Sequence, residues 1–284
     1  MKTTRIISRL DIKGPNLVKG IHLEGLRVLG KPGDFAKYYY ENGADELMFM
    51  DVVASLYERN SLHDIISETS KQNFIPITVG GGLRSISDIR EVLRVGADKV
   101  CLNTAVIKDP ELIRKASREF GSSTIVVAVE AIKEPDGRHL VYTDNAREYT
   151  GVVLEDWVQL IQEKGAGEIV LTSVDREGTG DGVDEELIKK ISDNVSVPLI
   201  IHGGVGSPND VETAVKLGAD ALAIASVFHY DFLANNTFKE SLGSEEGNFE
   251  FLKKGQNFSK IDPCSISEVK EFLRSNNINC RIVN

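Results

Sequence analysis

Three carboxylates stand at or near the ends of apolar runs of the chain. Asp11 follows the run that begins at Arg5, Asp51 follows the one from Glu46, and Glu130 follows the one from Thr124. A carboxylate whose pKa suits the task can give or take a proton, so these side chains are candidates for acid/base work. If the runs are parallel strands, the three groups meet at one edge of the sheet.

Glycine clusters follow two other runs. Gly80-Gly81-Gly82 pairs with the turn Asn103-Thr104, and Gly203-Gly204 pairs with Ala225-Ser226. Glycines allow backbone N–H groups to approach an anion closely. We call these two sets the first cradle and the second cradle, and they predict two phosphate sites. The alternative is that the glycines only form tight turns between strand and helix.

An internal repeat connects the two cradles. Gly43-Ala44-Asp45-Glu46-Leu47 recurs as Gly165-Ala166-Gly167-Glu168-Ile169, and Gly81-Gly82 recurs as Gly203-Gly204, each 122 residues later. Two copies of one unit place the cradles on opposite sides of a shared mouth. The repeat therefore predicts an elongated ligand with a phosphate at each end.

Apolar β-branched runs alternate with amphipathic stretches, as in parallel strands joined by helical crossovers. We predict an α/β fold, a (β/α)8 TIM barrel built from two repeated half-barrels. Helices are predicted over Ile86–Val95 behind Ser85, over Asp210–Leu217 and over Ser267–Ser275. The predicted strands are Arg5–Ile12, Glu46–Val53, Ile75–Val79, Lys99–Leu102, Thr124–Ala131, Glu168–Ser173, Pro198–His202 and Ala221–Ala225.

Composition indicates one soluble cytoplasmic enzyme domain spanning residues 1–284. The chain has 284 residues, 41% of them hydrophobic, which is enough for a full barrel core. A net charge of −10 opposes partnership with nucleic acid or an anionic membrane. We expect Cys101, Cys264 and Cys280 to be reduced, Cys101 as a small core residue, and we predict no metal and no cofactor.

Nearly the whole chain resembles the synthase (cyclase) subunit of imidazole glycerol phosphate synthase. That family is a barrel of two half-barrels that takes ammonia from a separate class I glutaminase docked at the barrel bottom, and its ribulosyl-formimino substrate carries two phosphates. The resemblance rests on Arg5–Lys13, Val18-Lys19-Gly20, Gly43–Asp51, Val79–Arg84, Gly96–Thr104, Leu171–Thr179 and Ala225–Tyr230.

The resemblance also implies roles for single residues. The family's acid/base pair corresponds to Asp11 and to the position of Glu130. Substrate contacts are expected at Lys19, Asp51, Gly81, Gly82, Asn103, Thr104, Glu177, Gly178, Gly203, Gly204, Ala225 and Ser226.

Four charges at the amino ends of alternate strands match the family's ammonia gate. They are Arg5, Glu46, Lys99 and Glu168, which we call the charged ring. Asp98, beside the ring, matches a position that contacts the glutaminase. The alternative is that these charges are ion pairs that only stabilise the barrel floor.

The chain departs from the family where chemistry is expected. Glu130 replaces an aspartate, Glu177 replaces an aspartate in a sixth-strand turn, and Arg9 and His202 replace small residues. Arg9 lies two residues from Asp11 on the same strand face, so we predict that it pairs with Asp11 and favours the ionised form. Alternatively, Arg9 only lines the pore, and His202 is either a substrate contact or a satisfied polar residue.

An insert is a further departure. Residues Asp231–Lys260 lie between the last strand turn and the final helix, and they include five phenylalanines. The insert either covers the second-cradle side of the mouth or packs on the outer wall.

These features favour a paralogue that supplies ammonia for amidation of a sugar in surface-glycan biosynthesis. One alternative is an authentic imidazole glycerol phosphate synthase subunit of histidine biosynthesis. A second is a catalytically silent barrel that only scaffolds or activates the glutaminase.

Overall fold

The computed structural model describes residues 3–54, 62–235 and 260–282. The strands in these ranges are β1 (Arg5–Lys13), β2 (Asn16–Ile21), β3 (Glu24–Gly30), β4 (Glu46–Asp51), β5 (Ile77–Gly80), β6 (Lys99–Leu102), β7 (Ile125–Lys133), β8 (His139–Thr143), β9 (Glu148–Val153), β10 (Glu168–Ser173), β11 (Leu199–His202) and β12 (Ala221–Ile224). The α-helices are α1 (Pro32–Glu41), α2 (His63–Thr69), α3 (Ile86–Arg94), α4 (Thr104–Lys108), α5 (Glu111–Phe120), α6 (Leu154–Lys164), α7 (Glu185–Ser192), α8 (Pro208–Lys216), α9 (Ser226–Asn235) and α10 (Ile266–Ser275).

Eight parallel strands close into a barrel, which confirms the predicted fold. The order around the barrel is β1, β4, β5, β6, β7, β10, β11 and β12, and β12 pairs with β1 to close it. Each predicted strand is present with its ends within two residues of the prediction. The carboxyl ends of all eight strands therefore meet at one mouth.

The barrel wall separates two apolar cores. The larger one lies between the strands and the helices and includes Leu47, Ile89 and Trp157. The smaller one fills the barrel interior above the charged ring, and we call it the inner apolar layer. Its members are Ile7, Met48, Cys101, Val126, Ala128, Val170, Ile200, Ala221 and Ala223.

Two β-hairpins at the mouth were not predicted. Strand β1 continues past Asp11 and pairs antiparallel with β2, which pairs with β3. Strand β7 likewise extends past Glu130 and pairs antiparallel with β8, which pairs antiparallel with β9. Their turns place non-glycine residues at positive φ, at His22 and Leu23 in one and at Asp144–Ala146 in the other. These two turns lack glycine, whereas the β1–β2 and β7–β8 turns contain the ordinary turn signals Gly14-Pro15 and Pro135-Asp136-Gly137.

Capping boxes mark the starts of three of the described helices. Ser85 and Asp88 form a capping box at α3, Ser207 and Asp210 form one at α8, and Ser265 and Glu268 form one at α10. Helix α8 starts at Pro208, two residues before the predicted start, because proline is well suited to the first helical turn.

The repeated Gly-Ala-Asp segments fasten strand starts to their neighbours. The carboxylates of Asp45, Asp98 and Asp220 accept hydrogen bonds of 2.8–2.9 Å from the backbone N–H groups of Ile6, Ile77 and Leu199. Gly167 takes the fourth position, where a side chain would collide with the Ser122 carbonyl. The repeated segments therefore have a structural role at the strand starts.

The predicted insert begins inside a helix. Helix α9 continues to Asn235 and so includes the first five residues of the insert, whereas 236–259 lie outside the described residues. The described chain resumes at Lys260, which forms an ion pair with Asp181. None of the helices within 3–54, 62–235 and 260–282 is long and apolar enough to cross a membrane.

Asp45 fastens the last helix as well as the first strand. Its Oδ1 atom accepts from Lys270 at 2.7 Å and from Arg281 at 2.8 Å, and the Lys270 side chain is only 3% exposed. We expect Asp45→Ala to lower the free energy of unfolding by about 3–5 kcal/mol, because it leaves a buried ammonium without its carboxylate. Urea unfolding followed by circular dichroism measures the loss.

Asp98→Ala is the matched control for this prediction. Asp98 accepts a similar backbone bond at an exposed position without a buried cation. We expect a loss of about 1 kcal/mol there. Equal losses in the two variants would contradict the role given to the Asp45–Lys270 pair.

Candidate active site at the barrel mouth

The first cradle opens onto a cavity of about 430 Å³ at the barrel mouth, which we call the mouth cavity. The predicted residues Asp51, Gly81, Gly82, Asn103, Thr104 and Glu130 all line it. Residues that the sequence did not single out complete the wall, namely Arg84, Lys108, Asp144 and Asn145. The mouth cavity thus combines cations, carboxylates and hydroxyl or amide groups, a set suited to a polar anionic ligand.

Arg9 and Asp11 form a buried ion pair inside the barrel. The guanidinium Nε donates to the Asp11 carboxylate at 2.8 Å, and both side chains are less than a tenth exposed. Burial opposes the arginine charge, yet Asp11 holds the pKa of Arg9 above its ordinary value. Arg9 lines the mouth cavity, whereas Asp11 is not one of its lining residues. The predicted pairing is present, and it puts the guanidinium in place of the carboxylate at the cavity wall.

His202 completes this buried layer. Its Nδ1 atom lies 3.1 Å from Arg9 Nη1 and 3.2 Å from Thr172 Oγ1. Arginine can only donate, so Nδ1 carries the lone pair and the ring proton sits on Nε2. Burial, reinforced by the charges of Arg9 and Lys19, lowers the pKa of His202 well below its ordinary value. The ring is therefore neutral, and its role is to accept from Arg9.

Glu130 is held by two donors at the other side of the mouth cavity. Asn103 Nδ2 donates to Oε1 and the Ala146 backbone N–H donates to Oε2, each at 2.8 Å. Burial outweighs these donors and the charge of Arg9, and it raises the pKa of Glu130 to about 7. A carboxyl group with this pKa can both give and take a proton near neutral pH.

The second cradle encloses less space than the mouth cavity onto which the first cradle opens. The space bounded by Gly203, Gly204, Ala225 and Ser226 measures about 20 Å³. Lys19 and Glu177, two predicted substrate contacts, line it and form an ion pair with each other. The structure therefore brings all the predicted second-cradle residues together around one shallow depression.

Positive φ angles explain two of the cradle glycines. Gly81 has φ of 100°, and a side chain there would collide with the backbone of Asp51. Gly204 has φ of 93°, and a side chain there would collide with the Gly182 carbonyl. These two glycines are required for the tight turns between strand and helix. This requirement holds whether or not they also contact an anion.

The charged ring forms at the opposite end of the barrel. Arg5 donates to Glu46 and Glu168 at 3.0 Å, and Lys99 donates to the same two carboxylates at 2.8 and 2.9 Å. Each cation bridges both anions, so the four charges neutralise one another. Asp98 lies beside the ring on the exposed barrel bottom.

The residues missed by sequence reasoning come mainly from one hairpin. Asp144, Asn145 and Ala146 form the turn between β8 and β9, and this turn reaches over the mouth to Glu130 and to Thr104, whose hydroxyl lies 3.4 Å from Asp144 Oδ1. The Thr143-Asp144-Asn145 stretch was a possible signal for a turn. Within the described ranges, no group of three or more His, Cys, Asp or Glu side chains is arranged to hold a metal ion.

The closed barrel of eight parallel strands, with charged and polar groups at its mouth and floor, defines a (β/α)8-barrel protein with a candidate site at the carboxyl ends of its strands. Residues 5–233 match the family model of the histidine biosynthesis protein. The chain belongs to this family, and within it to the cyclase-type subunits of imidazole glycerol phosphate synthase.

Three relatives illustrate the membership, each a protein named imidazole glycerol phosphate synthase subunit HisF. The one from Legionella pneumophila is 55% identical over 206 residues, which cover 72% of this chain and 97% of the relative. The one from Alkaliphilus metalliredigens is 43% identical over 243 residues, 85% of this chain and 96% of the relative. The one from Bifidobacterium adolescentis is 44% identical over 243 residues, 84% and 95% of the two chains.

The raised pKa of Glu130 predicts a specific pH dependence of stability. The folded state keeps the proton of Glu130 up to about pH 7, whereas the unfolded side chain releases it near the ordinary glutamate pKa of 4.5. Between these values the unfolded state binds fewer protons, so stability must fall as the pH rises. Relative to Glu130→Gln, we expect the wild type to lose up to about 3 kcal/mol from pH 4.5 to pH 8.

Urea unfolding of both proteins at a series of pH values measures this difference. Other titrating groups are common to both proteins and cancel in the comparison. A difference between the two that stays constant across the window would show that Glu130 titrates normally in the folded state.

Proposed function

We propose that this protein receives ammonia from a class I glutaminase docked at the barrel bottom and delivers it to a phosphorylated or sugar-type acceptor in the mouth cavity. We favour a cytoplasmic paralogue that supplies ammonia for amidation of a sugar in surface-glycan biosynthesis. The relatives' names support the synthase class. The observation that carries the finer assignment is the buried Arg9–Asp11 ion pair.

The barrel interior supports a route for ammonia. The charged ring is followed by the inner apolar layer and then by the Arg9, Thr172 and His202 layer below the mouth cavity. An apolar layer is costly for a cation and much less so for a small neutral molecule. It therefore favours passage of ammonia over ammonium.

The acid/base layer supports the paralogue over the histidine enzyme. Asp11 Oδ1 accepts a hydrogen bond from Arg9 Nε, so this carboxylate is engaged within the barrel and is less available to a substrate. Glu130 retains an acid/base capacity, but it carries one methylene more than the aspartate of the family. A misplacement of about an ångström can cost on the order of a hundredfold in rate. The alternative, an authentic imidazole glycerol phosphate synthase subunit, is favoured by the names of the relatives and by the presence of Asp11, Asp51 and Lys19.

The proposed docking face predicts a one-to-one complex with a class I glutaminase encoded beside this protein. We expect the double charge reversal Asp98→Lys with Lys99→Glu to weaken the complex at least about tenfold, because like charges then meet across the interface. Analytical ultracentrifugation with the purified glutaminase measures the dissociation constant.

A charge reversal away from the barrel bottom is the control for this prediction. Glu185→Lys with Lys189→Glu exchanges an exposed ion pair on helix α7 and keeps the net charge. Circular dichroism verifies that both variants are folded. Unchanged affinity in the Asp98/Lys99 variant would rule out this docking face.

Turnover of the histidine-pathway substrate with ammonium distinguishes the two enzyme assignments, because supplied ammonium removes the need for the glutaminase. We expect very low turnover by the wild type. Arg9→Ala with Glu130→Asp should raise it by about 10–100-fold, since it frees Asp11 and restores the shorter reach of the second carboxylate.

Arg9→Lys with Glu130→Asp is the matched control, because lysine keeps a cation beside Asp11. We expect this variant to remain slow. An ordinary wild-type rate would identify the protein as the histidine enzyme and would refute the paralogue assignment.

A further inference from the structure

We infer that Arg9 is a catalytic residue of this protein, and that its guanidinium binds the oxygen atom of the carbonyl group that ammonia attacks. The acceptor is then a ketone or an aldehyde whose carbonyl carbon lies where the barrel interior opens into the mouth cavity. This inference rests on the proposed function and specifies the chemical class of its acceptor.

Arg9 and two neighbouring side chains lie at the boundary between the barrel interior and the mouth cavity. Cys101 is a member of the inner apolar layer and also lines the mouth cavity, and Met50 packs against that layer and lines the same cavity. The two side chains are adjacent, since both lie 2.7–2.9 Å from the point where a Cβ atom of Gly80 would stand. Burial raises the pKa of the Cys101 thiol to about 12, and the nearby charge of Arg9 opposes this rise. Ammonia that crosses the inner apolar layer therefore enters the mouth cavity beside Arg9.

The Arg9 guanidinium has a donor nitrogen that faces the mouth cavity. Nε donates to Asp11 and Nη1 to His202, whereas Nη2 donates to no group within the described ranges. Nη2 is not one of the solvent-inaccessible atoms that lack a partner, so the small exposed fraction of this side chain, 7%, includes it. Because Arg9 lines the mouth cavity, a ligand there can accept a hydrogen bond from this nitrogen.

The protein contacts of Arg9 hold the guanidinium in one orientation. Nε lies 2.8 Å from Asp11 Oδ1, and Nη1 lies 3.1 Å from His202 Nδ1 on the opposite strand of the barrel. The planar fork of the guanidinium allows both bonds at once, which a lysine could not do. A donor that is fixed before the substrate binds stabilises the negative charge that develops on a carbonyl oxygen without further reorganisation.

A neutral carbonyl group suits this position better than a carboxylate or a phosphate. Asp11 already balances the charge of Arg9, and both side chains are less than a tenth exposed. A second anion would therefore bring an uncompensated charge into a buried layer, which is costly. A carbonyl oxygen needs a hydrogen-bond donor but no additional cation. The layer thus selects an acceptor that presents an uncharged carbonyl group to the barrel interior.

The addition of ammonia uses only groups that line this part of the mouth cavity. The nitrogen lone pair forms the C–N bond while the π electron pair of the carbonyl group moves onto the oxygen, where Arg9 stabilises the charge. Glu130 then gives a proton to that oxygen and takes one from the nitrogen, as a carboxyl group with a pKa of about 7 can do. The product is a neutral carbinolamine, and the step needs no oxidant or reductant.

The carbonyl stretching frequency of a bound ketone tests the inference without any turnover. The probe is ribulose 5-phosphate labelled with carbon-13 at its carbonyl carbon, because its esterified 5-hydroxyl prevents ring closure and leaves the ketone free. Isothermal titration calorimetry with the full-length protein measures binding, and isotope-edited infrared spectra record the carbonyl band. We expect the band of the bound probe at lower wavenumber than that of the free probe, since the guanidinium draws electron density onto the oxygen. A bound probe with an unshifted band, or a probe that does not bind, would overturn the inference.

Two variants of Arg9 assign the shift to this residue. Arg9→Met should return the band to the frequency of the free ketone and weaken binding about tenfold, the loss expected for one hydrogen bond from a charged donor. Arg9→Lys keeps a cation beside Asp11, so it decides the question even if the methionine variant does not fold. An ammonium group that is paired with Asp11 presents no second nitrogen to the carbonyl group, and we expect the shift to be lost there too. A folded Arg9→Lys protein with the full wild-type shift would refute the role given to Arg9.

Arg84→Met is the matched control, because Arg84 is another arginine that lines the mouth cavity. We expect the carbonyl band to stay at its wild-type frequency in this variant, whatever the change in affinity. A shift that depended on Arg84 instead of Arg9 would contradict the inference. The result is separable from the proposed function: a shifted band in a protein that forms no glutaminase complex refutes the function alone, whereas a complex with an unshifted band refutes the inference alone.

Discussion

A guanidinium inside a closed barrel must be neutralised within the barrel, and this constraint organises the mouth. Arg9 is surrounded by strands on all sides, so its charge is balanced by Asp11 on the same strand and its Nη1 donor is satisfied by His202 across the pore. Burial of an unpaired charge would cost several kcal/mol. The carboxylate is thereby committed to the arginine, and Glu130 is left as the group in the mouth cavity that is poised between two protonation states.

The same requirement is met differently at the barrel floor. The charged ring balances two cations with two anions, and each cation contacts both anions. Between the ring and the Arg9 layer the interior is apolar. The barrel therefore alternates charged, apolar and charged layers along its axis. Neither charged layer has an excess charge, so each is compatible with the passage of a small neutral molecule such as ammonia.

The barrel could be predicted from the sequence because several independent patterns along the chain indicated it. Eight apolar runs, the glycine turns and the duplicated Gly-Ala-Asp segments all indicated the same topology, and each strand lies where it was predicted. The Arg9–Asp11 pair was predictable because strand geometry places residues two apart on one face. The two hairpins were predictable only in part. Gly14-Pro15 and Pro135-Asp136-Gly137 are turn signals, whereas the turns at His22 and at Asp144 use non-glycine residues at positive φ.

The turn from Asp144 to Ala146 has a consequence for how this site responds to mutation. Glu130 receives one of its two hydrogen bonds from the main chain of Ala146, a residue whose own side chain is a single methyl group. An alanine scan would leave that position unchanged, and it would attribute the hydrogen bonding of Glu130 to Asn103 alone. One of the two hydrogen bonds to the Glu130 carboxyl group therefore cannot be removed by truncating a side chain. A change in the length or the backbone geometry of the loop would alter it.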